Sequence, residues 1–151
     1  MLSVNSILRN KTKPFNSISP DTLVFDALQL LNTIDLSYLV VMQNDEFQGI
    51  FSERDYTRNV ILKGRASRDT IVGDVMTIAL PRVEITDSVE HCMNLMTSRG
   101  TRYLVAFNND QFLGIITIHD LLRHVIANRE MVFDHSITEK LLDSDEGSKF
   151  Y

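Results

Sequence analysis

The sequence is poor in cysteine, in net positive charge and in long apolar runs. Cys92 is the only cysteine among 151 residues, so a disulfide framework and a thiolate metal cluster are both excluded. The net charge of −5 argues against nucleic acid as a partner, because an extended phosphate backbone needs a basic surface. No apolar run approaches the roughly 20 residues that a membrane-spanning helix requires. We therefore predict a soluble, cytoplasmic protein with no membrane partner.

The sequence also lacks the residue patterns that catalysis needs. Its four histidines are not at the spacing by which a helix presents two metal ligands, and no His-Glu-x-x-His occurs. Neither Ser52 nor Thr117 has a histidine base fixed beside it by a recognisable pattern. We predict that the protein is not an enzyme and that it has no catalytic residue, no catalytic cofactor and no metal site.

One short pattern occurs twice in the chain. The stretch Gly49–Asp55, with the sequence GIFSERD, returns 65 residues later as GIITIHD at Gly114–Asp120. At this offset residues 18–61 align with residues 83–126 without a gap, and fourteen of the 44 aligned positions are identical. Average residue usage gives about three identities by chance. The chain is therefore predicted to be an internal duplication.

The amino-terminal segment resembles the segment that precedes the second copy. Residues 1–8 lack a charged leader followed by an apolar core, so we do not predict a secretory signal. The cations Arg9, Lys11 and Lys13, with no acids between them, are compatible with a transit peptide. However, VNSIL at residues 4–8 resembles VGDVM at residues 72–76, which indicates that the segment belongs to the fold.

Each copy has the pattern of a strand, a helix, a β-hairpin and a second helix. Apolar residues recur at helical spacing over residues 24–31 and again over residues 89–96, where Cys92 is predicted to be a core residue. Asp87 and Glu90 predict an N-cap box for this second helix. Residues 38–51 and 103–116 each consist of two apolar runs around a polar turn, which indicates a hairpin. Ile137, Leu141 and Leu142 suggest a last helix before a polar tail.

The repeated hydroxyl-x-x-Asp motif has two interpretations. Ser52-x-x-Asp55 and Thr117-x-x-Asp120 lie where a strand meets a helix, and a capping box of these residues needs no ligand. Alternatively, a short carboxylate at this position accepts the two hydroxyls of a ribose, and the glycine three residues before the hydroxyl lets a planar group approach the backbone. Phosphates are also commonly held where a strand leads into a helix. Both interpretations stay open, and one residue can serve both.

The chain resembles a known family. The duplication, the hairpin, the motif Gly-hydrophobic-x-Ser/Thr-x-x-Asp in both copies, and Val72–Thr77 before the second copy are similar to a tandem pair of cystathionine β-synthase (CBS) domains, a Bateman module. Residues 52–65 further resemble stand-alone CBS-pair proteins. The resemblance implies an α+β (α/β sandwich-like) fold of two β-α-β-β-α repeats related by a pseudo-twofold axis. The predicted bounds are 3–66 and 67–128 for the repeats and 129–151 for a carboxy-terminal helix and polar tail.

The resemblance also implies two clefts between the repeats that bind adenosine-containing ligands. Carried over by position, Ser52 with Asp55 and Thr117 with Asp120 hold the ribose of one ligand each. The candidates for phosphate contacts are the cationic or titratable residues near the motif, namely Arg54, Arg58, Arg102, His119 and Arg123. The tyrosines that begin the inner strands, Tyr38 and Tyr103, are predicted to be core residues.

These residues lead to a first functional hypothesis and two alternatives. The first is a regulatory module that senses energy or redox state by binding AMP, ADP or ATP and signals by a conformational or assembly change. The alternatives are an NAD(H)- or S-adenosylmethionine-binding sensor and a ligand-independent dimerising adaptor. We predict a homodimer with an unidentified regulated protein partner, because a lone module is expected to leave an apolar patch of Met93, Met96, Leu121 and Leu122.

Overall fold

Each copy of the repeat forms one three-stranded sheet with its own helices. The computed structural model describes residues 2–11 and 15–128. The described residues form two compact units: residues 15–79 make up the first-copy unit, and residues 2–11 together with 80–128 make up the second-copy unit. The predicted helix around Ile137, Leu141 and Leu142 and the predicted tail lie outside the described residues.

The first-copy unit is built around a β-hairpin. It contains the strand β1 (Ser17–Ile18), the helix α2 (Val24–Ile34), and the hairpin strands β2 (Tyr38–Gln43) and β3 (Glu46–Ser52). The strand β1 is parallel to β2, and β2 is antiparallel to β3, in the order β1-β2-β3. The hairpin turn has φ of 52° at Asn44 and 62° at Asp45, which Asn and Asp tolerate in two-residue turns.

The chain leaves this hairpin through an unusual helix. A single α-helical turn, α3 (Glu53–Asp55), continues directly as a π-helix over Tyr56–Ile61. A 3₁₀ turn follows at Val72–Asp74, and Thr77 then pairs with Ile50 in an antiparallel bridge. The helix predicted after the first hairpin is therefore present. The spacing of its apolar residues did not predict that it would be a π-helix.

The second-copy unit repeats the arrangement with one added helix. The helix α1 (Val4–Arg9) joins the strand β4 (Arg82–Glu84), the helix α4 (Val89–Arg99), the hairpin strands β5 (Tyr103–Asn108) and β6 (Gln111–Thr117), and the helix α5 (Ile118–Ala127). The strand order is β4-β5-β6, with β4 parallel to β5. Both hairpins change register at the same repeat position, between Val41 and Met42 and between Ala106 and Phe107. The predicted α+β fold with two repeats is confirmed.

Two predictions about individual residues are wrong. The N-cap of α4 is Ser88, whose Oγ accepts from the His91 amide at 3.0 Å, whereas the Asp87 carboxylate accepts from the Glu84 amide. The apolar patch predicted for a lone module is also wrong, because its members belong to the core or pack on it. Met93, Met96 and Leu121 are buried, and Leu122 packs against them.

The core of each unit contains most of the apolar residues that the spacing predicted, together with residues of the lead-in segments. The first-copy core contains Val24, Ala27, Leu31, Leu39, Val41, Phe51, Val60, Val72 and Val75. The second-copy core includes Val4 and Ile7 from α1 together with α4, α5 and the hairpin. Cys92 is fully buried there as predicted, and burial raises the pKa of its thiol to about 12. Tyr38 and Tyr103 are buried as well.

The spatial units differ from the repeats as they run along the chain. The predicted bounds of 3–66 and 67–128 assign each lead-in segment to the repeat that follows it. In the structure, residues 72–77 instead pack with the first copy, and residues 2–11 pack with the second. The sequence offset shows where the copies start and end, but it carries no signal of which copy a lead-in contacts.

Candidate functional site

Both copies of the motif form a complete capping box. The Ser52 Oγ accepts from the Asp55 amide at 3.2 Å, and an Asp55 carboxylate oxygen accepts from the Ser52 amide at 2.9 Å. The Thr117 Oγ1 and the Asp120 carboxylate make the same pair of bonds at 3.1 and 2.9 Å. Extended backbone at the hydroxyl residue lets each side chain reach the third residue of the helix. The capping interpretation therefore holds for both copies.

The Asp55 carboxylate is enclosed by neutral hydrogen-bond donors. Its Oδ2 also accepts from the Ser52 hydroxyl at 3.0 Å, and its Oδ1 accepts from the Thr77 hydroxyl at 2.6 Å. The side chain is fully buried, and this desolvation raises the pKa of Asp55 above 3.8, against the lowering effect of the hydrogen bonds and of the Arg58 charge. Both carboxylate oxygens are thus engaged by the protein itself.

The Asp120 carboxylate is instead paired with a lysine from the amino-terminal segment. The Lys11 Nζ lies 2.9 Å from Asp120 Oδ2 and also donates to the Ile115 carbonyl oxygen at 2.8 Å. Arg123 lies on the same helix as Asp120, with its NH1 3.7 Å from Asp120 Oδ1. A carboxylate with an ammonium and a guanidinium beside it can accept ligand hydroxyls while the cations hold an anion.

A cavity of about 230 Å³ lies against this ion pair in the second-copy unit. Its walls include Ile7 and Asn10 as well as Lys11, Asp120 and Arg123. The walls therefore combine an apolar side chain with polar and charged groups. Sites for small organic ligands have this combination, in which a few polar groups fix the orientation of a ligand.

His124 lines the same cavity and is 7% exposed. Burial lowers the pKa of its imidazole, which favours the neutral form. Its Nε2 is buried and has no hydrogen-bond partner among the described residues. A buried polar atom without a hydrogen-bond partner destabilises the fold by about 1 to 3 kcal/mol.

The structure brings together only some of the predicted phosphate contacts. Arg123 lies beside Asp120, and the charge of Arg58 acts on Asp55. Arg54 and Arg102 are partly buried, and His119 is exposed.

Sequence reasoning missed three residues of the two motif sites. Thr77 and Lys11 contact the aspartates from 22 and 109 positions away in the chain, and His124 was considered only as a metal ligand. No local pattern in the sequence places Thr77 or Lys11 near the motif, because both contacts are made across long separations in the chain.

Gly49 has a structural role within the first-copy unit. A Cβ at this position would lie 2.4 Å from the Thr77 carbonyl oxygen. The glycine therefore makes room for the backbone of Thr77 on the edge of β3, where Thr77 and Ile50 exchange both backbone hydrogen bonds.

The described residues contain no helix long and apolar enough to cross a membrane. Within the same residues, no three histidine, cysteine or acidic side chains are grouped so that they could hold a metal ion.

Comparisons with curated proteins find relatives over most of the chain. The mitochondrial CBS domain-containing protein CBSX3 of Arabidopsis thaliana is 29% identical over 133 residues, which is 82% of this chain and 65% of that protein. The arabinose 5-phosphate isomerase KdsD of Yersinia pestis is 31% identical over 82% of this chain, but the match spans only 37% of the isomerase. The chain thus spans between about a third and two thirds of the length of these relatives.

Solved structures of other proteins share the fold of this chain over nearly the whole length of the matched proteins. A protein with CBS domains from Burkholderia ambifaria MC40-6 has a TM-score of 0.77 and 32% identity, covering 87% of this chain and 99% of that one. CBSX2, solved in complex with AMP, has a TM-score of 0.67 and 22% identity, covering 85% and 99%. The family model of the CBS domain matches residues 4–61 and again residues 72–127. The chain therefore belongs to the CBS domain family and carries the domain twice, in tandem.

Proposed function

We propose that the chain is a regulatory module that binds an adenosine nucleotide, with AMP, ADP or ATP as the first candidates. The observation that carries the proposal is the position of Asp120 beside Lys11 and Arg123 at the wall of a cavity. A carboxylate suits the hydroxyls of a ribose, and the two cations suit a phosphate. CBSX2, whose fold this chain shares, was solved with AMP, which supports this ligand class.

The proposed mechanism is regulation by differential affinity. A nucleotide that binds one conformation or assembly state more tightly than another shifts the population toward that state. We also propose that the module regulates a downstream protein partner and that it is located in the cytoplasm. Cell fractionation tests the location, since the name of the Arabidopsis relative places that protein in mitochondria.

A first prediction tests the ligand class. We expect AMP, ADP or ATP at a hundred times its Kd to stabilise the protein by about 2.7 kcal/mol, a shift that thermal unfolding measures readily.

Asp120→Asn is expected to weaken AMP binding about tenfold or more in calorimetry, because it removes the charge that accepts the ribose hydroxyls. Asp110→Asn, at an exposed hairpin turn of the same unit, is the matched control and is expected to bind as the wild type does.

NAD(H) and S-adenosylmethionine belong in the same panel, because both contain the adenosine group that Asp120 is proposed to bind. If only one of them shifts the unfolding midpoint, the module is a sensor for that ligand instead of an energy sensor.

A second candidate function is that of a ligand-independent dimerising adaptor. The observation that favours it is the full enclosure of Asp55, whose two oxygens are engaged by Ser52 and Thr77. If no nucleotide in the panel shifts the midpoint and none co-purifies, this interpretation replaces the first.

A further inference from the structure

Lys11 and Thr77 occupy equivalent places in the two motif sites. The hydroxyl of Thr77 donates to Asp55, and its backbone N–H donates to the Ile50 carbonyl at 2.8 Å. At the repeat offset of 65 residues, these acceptors correspond to Asp120 and the Ile115 carbonyl. The Lys11 ammonium donates to both, at 2.9 and 2.8 Å. One side-chain ammonium therefore makes the two contacts that a hydroxyl and a backbone amide make in the first copy.

The two arrangements differ in how readily they open. Thr77 is fixed by two backbone hydrogen bonds with Ile50, so its short side chain can move the hydroxyl only by rotation about χ1, which is stiff in a β-branched residue. Lys11 reaches its acceptors through four rotatable methylene groups, and its ammonium can swing to a new acceptor while the backbone stays in place. The second-copy site can therefore exchange its cation contact, whereas the first-copy site is held closed.

The groups around Lys11 define what can displace it from Asp120. A neutral molecule offers the ammonium nothing in exchange for the carboxylate, because leaving a partly buried ion pair without a new charged partner is costly. An anion beside Arg123 offers such a partner. Among the residues that line this cavity, Lys11 and Arg123 are the two cations that an entering anion meets.

We propose that Lys11 makes the second-copy site selective for ligands that carry a phosphate. When a phosphorylated nucleoside enters the cavity, the Lys11 ammonium moves from Asp120 to the phosphate, and the freed carboxylate accepts the ribose hydroxyls. This inference rests on the proposed function and adds to it the residue that selects the ligand, because Lys11 favours nucleosides that carry a phosphate over the parent nucleosides.

The test compares AMP with adenosine by titration calorimetry on the full chain. We expect the wild type to prefer AMP, and we expect Lys11→Met to reduce this preference about tenfold or more, which is the loss of one charge-assisted hydrogen bond. Adenosine affinity is expected to stay the same or to increase, because the variant removes the ammonium that competes with the ribose hydroxyls for Asp120. Lys11→Arg retains the cation and is expected to retain the preference. Lys63→Met, at an exposed position, is the matched control.

The possible outcomes separate this inference from the proposed function. If the wild type binds neither compound, the inference is overturned, whereas the proposed function is overturned only if ADP and ATP also fail to bind. If the wild type prefers AMP and Lys11→Met keeps the preference, Lys11 does not read the phosphate and only the inference is overturned. An equal loss for AMP and adenosine also overturns it, because Lys11 would then only shape the site. Should Lys11→Met show no cooperative unfolding, Lys11→Gln replaces it under the same criteria.

Discussion

At the scale of single residues, two aspartates with the same motif position have different electrostatic surroundings. Asp55 is surrounded by the hydroxyls of Ser52 and Thr77 and is fully buried. Asp120 is paired with a lysine ammonium. Hydroxyls stabilise a carboxylate less than a cation does, so the burial of Asp55 is only partly offset. The motif alone, which is the same in both copies, does not distinguish a closed cap from a binding group.

The burial of Asp55 predicts a pH dependence of stability. Its pKa is raised above 3.8 in the folded state, so between 3.8 and the raised value the folded protein binds more protons than the unfolded chain. Stability contributed by this residue therefore falls as pH rises through that window and stays reduced above it. Asp55→Asn has no such titration. The free energy of unfolding of the wild type minus that of the variant is expected to decrease from about pH 4 to pH 7.

Urea unfolding at a series of pH values measures this difference. Asp45→Asn, at an exposed turn position of the same unit, is a control for the chemical change itself. A wild-type profile that stays parallel to that of Asp55→Asn over the window would show that burial does not perturb this carboxylate.

At the scale of structural elements, the lead-in of the second copy is held on the edge of β3. We predict that Gly49→Ala destabilises the protein by about 1 to 3 kcal/mol, because its Cβ would meet the Thr77 carbonyl oxygen at 2.4 Å and a backbone atom cannot move aside cheaply. Gln48→Ala, on the same strand, removes only an exposed hydrogen bond to the Glu46 carbonyl and should stay within about 0.5 kcal/mol. Denaturant unfolding of the two variants compares them directly. Equal stability of Gly49→Ala and the wild type would mean that Thr77 does not pack on β3 in solution.

The elements themselves could be predicted from the sequence, whereas their long-range neighbours could not. Helix and hairpin signals are local, because apolar spacing and turn residues act within about ten positions. The hydrogen bond of Thr77 to Asp55 and the ion pair of Lys11 with Asp120 span 22 and 109 positions, and no local pattern encodes them. The predicted N-cap of α4 was wrong by one residue. Asp87 and Ser88 are both good capping residues, and the loop geometry decides between them.

At the scale of the whole molecule, the duplication does not produce two units that are continuous in the chain. Residues 15–79 are continuous, but the second-copy unit needs residues 2–11, which supply Val4 and Ile7 to its core and Lys11 to its site. The core of the second-copy unit is therefore built from two stretches of the chain, one before and one after the first copy. Lys11, the residue proposed to bind the phosphate, belongs to this amino-terminal segment. The second-copy site therefore depends on residues that precede the first copy in the chain.

The homodimer predicted from the sequence remains a prediction, and the structure gives it different candidate residues. Ile61 and Ile126 hold equivalent positions in the two copies and are 53% and 62% exposed, and Leu62 is 71% exposed. Exposed apolar side chains are candidates for the contacts of a homodimer, because association removes them from water. We expect light scattering to give about twice the chain mass of 17.3 kDa at micromolar concentration.

The double variant Ile61→Glu with Ile126→Glu tests these residues, because burying two carboxylates in an apolar interface is costly. It is expected to shift the mass toward that of one chain, while Gln29→Glu, at an exposed position of α2, keeps the mass of the wild type. The melting temperature of each variant shows whether the fold survives. A wild type that scatters as a single chain at every concentration would disprove the dimer. A double variant that stays dimeric would mean that the copies associate through another surface.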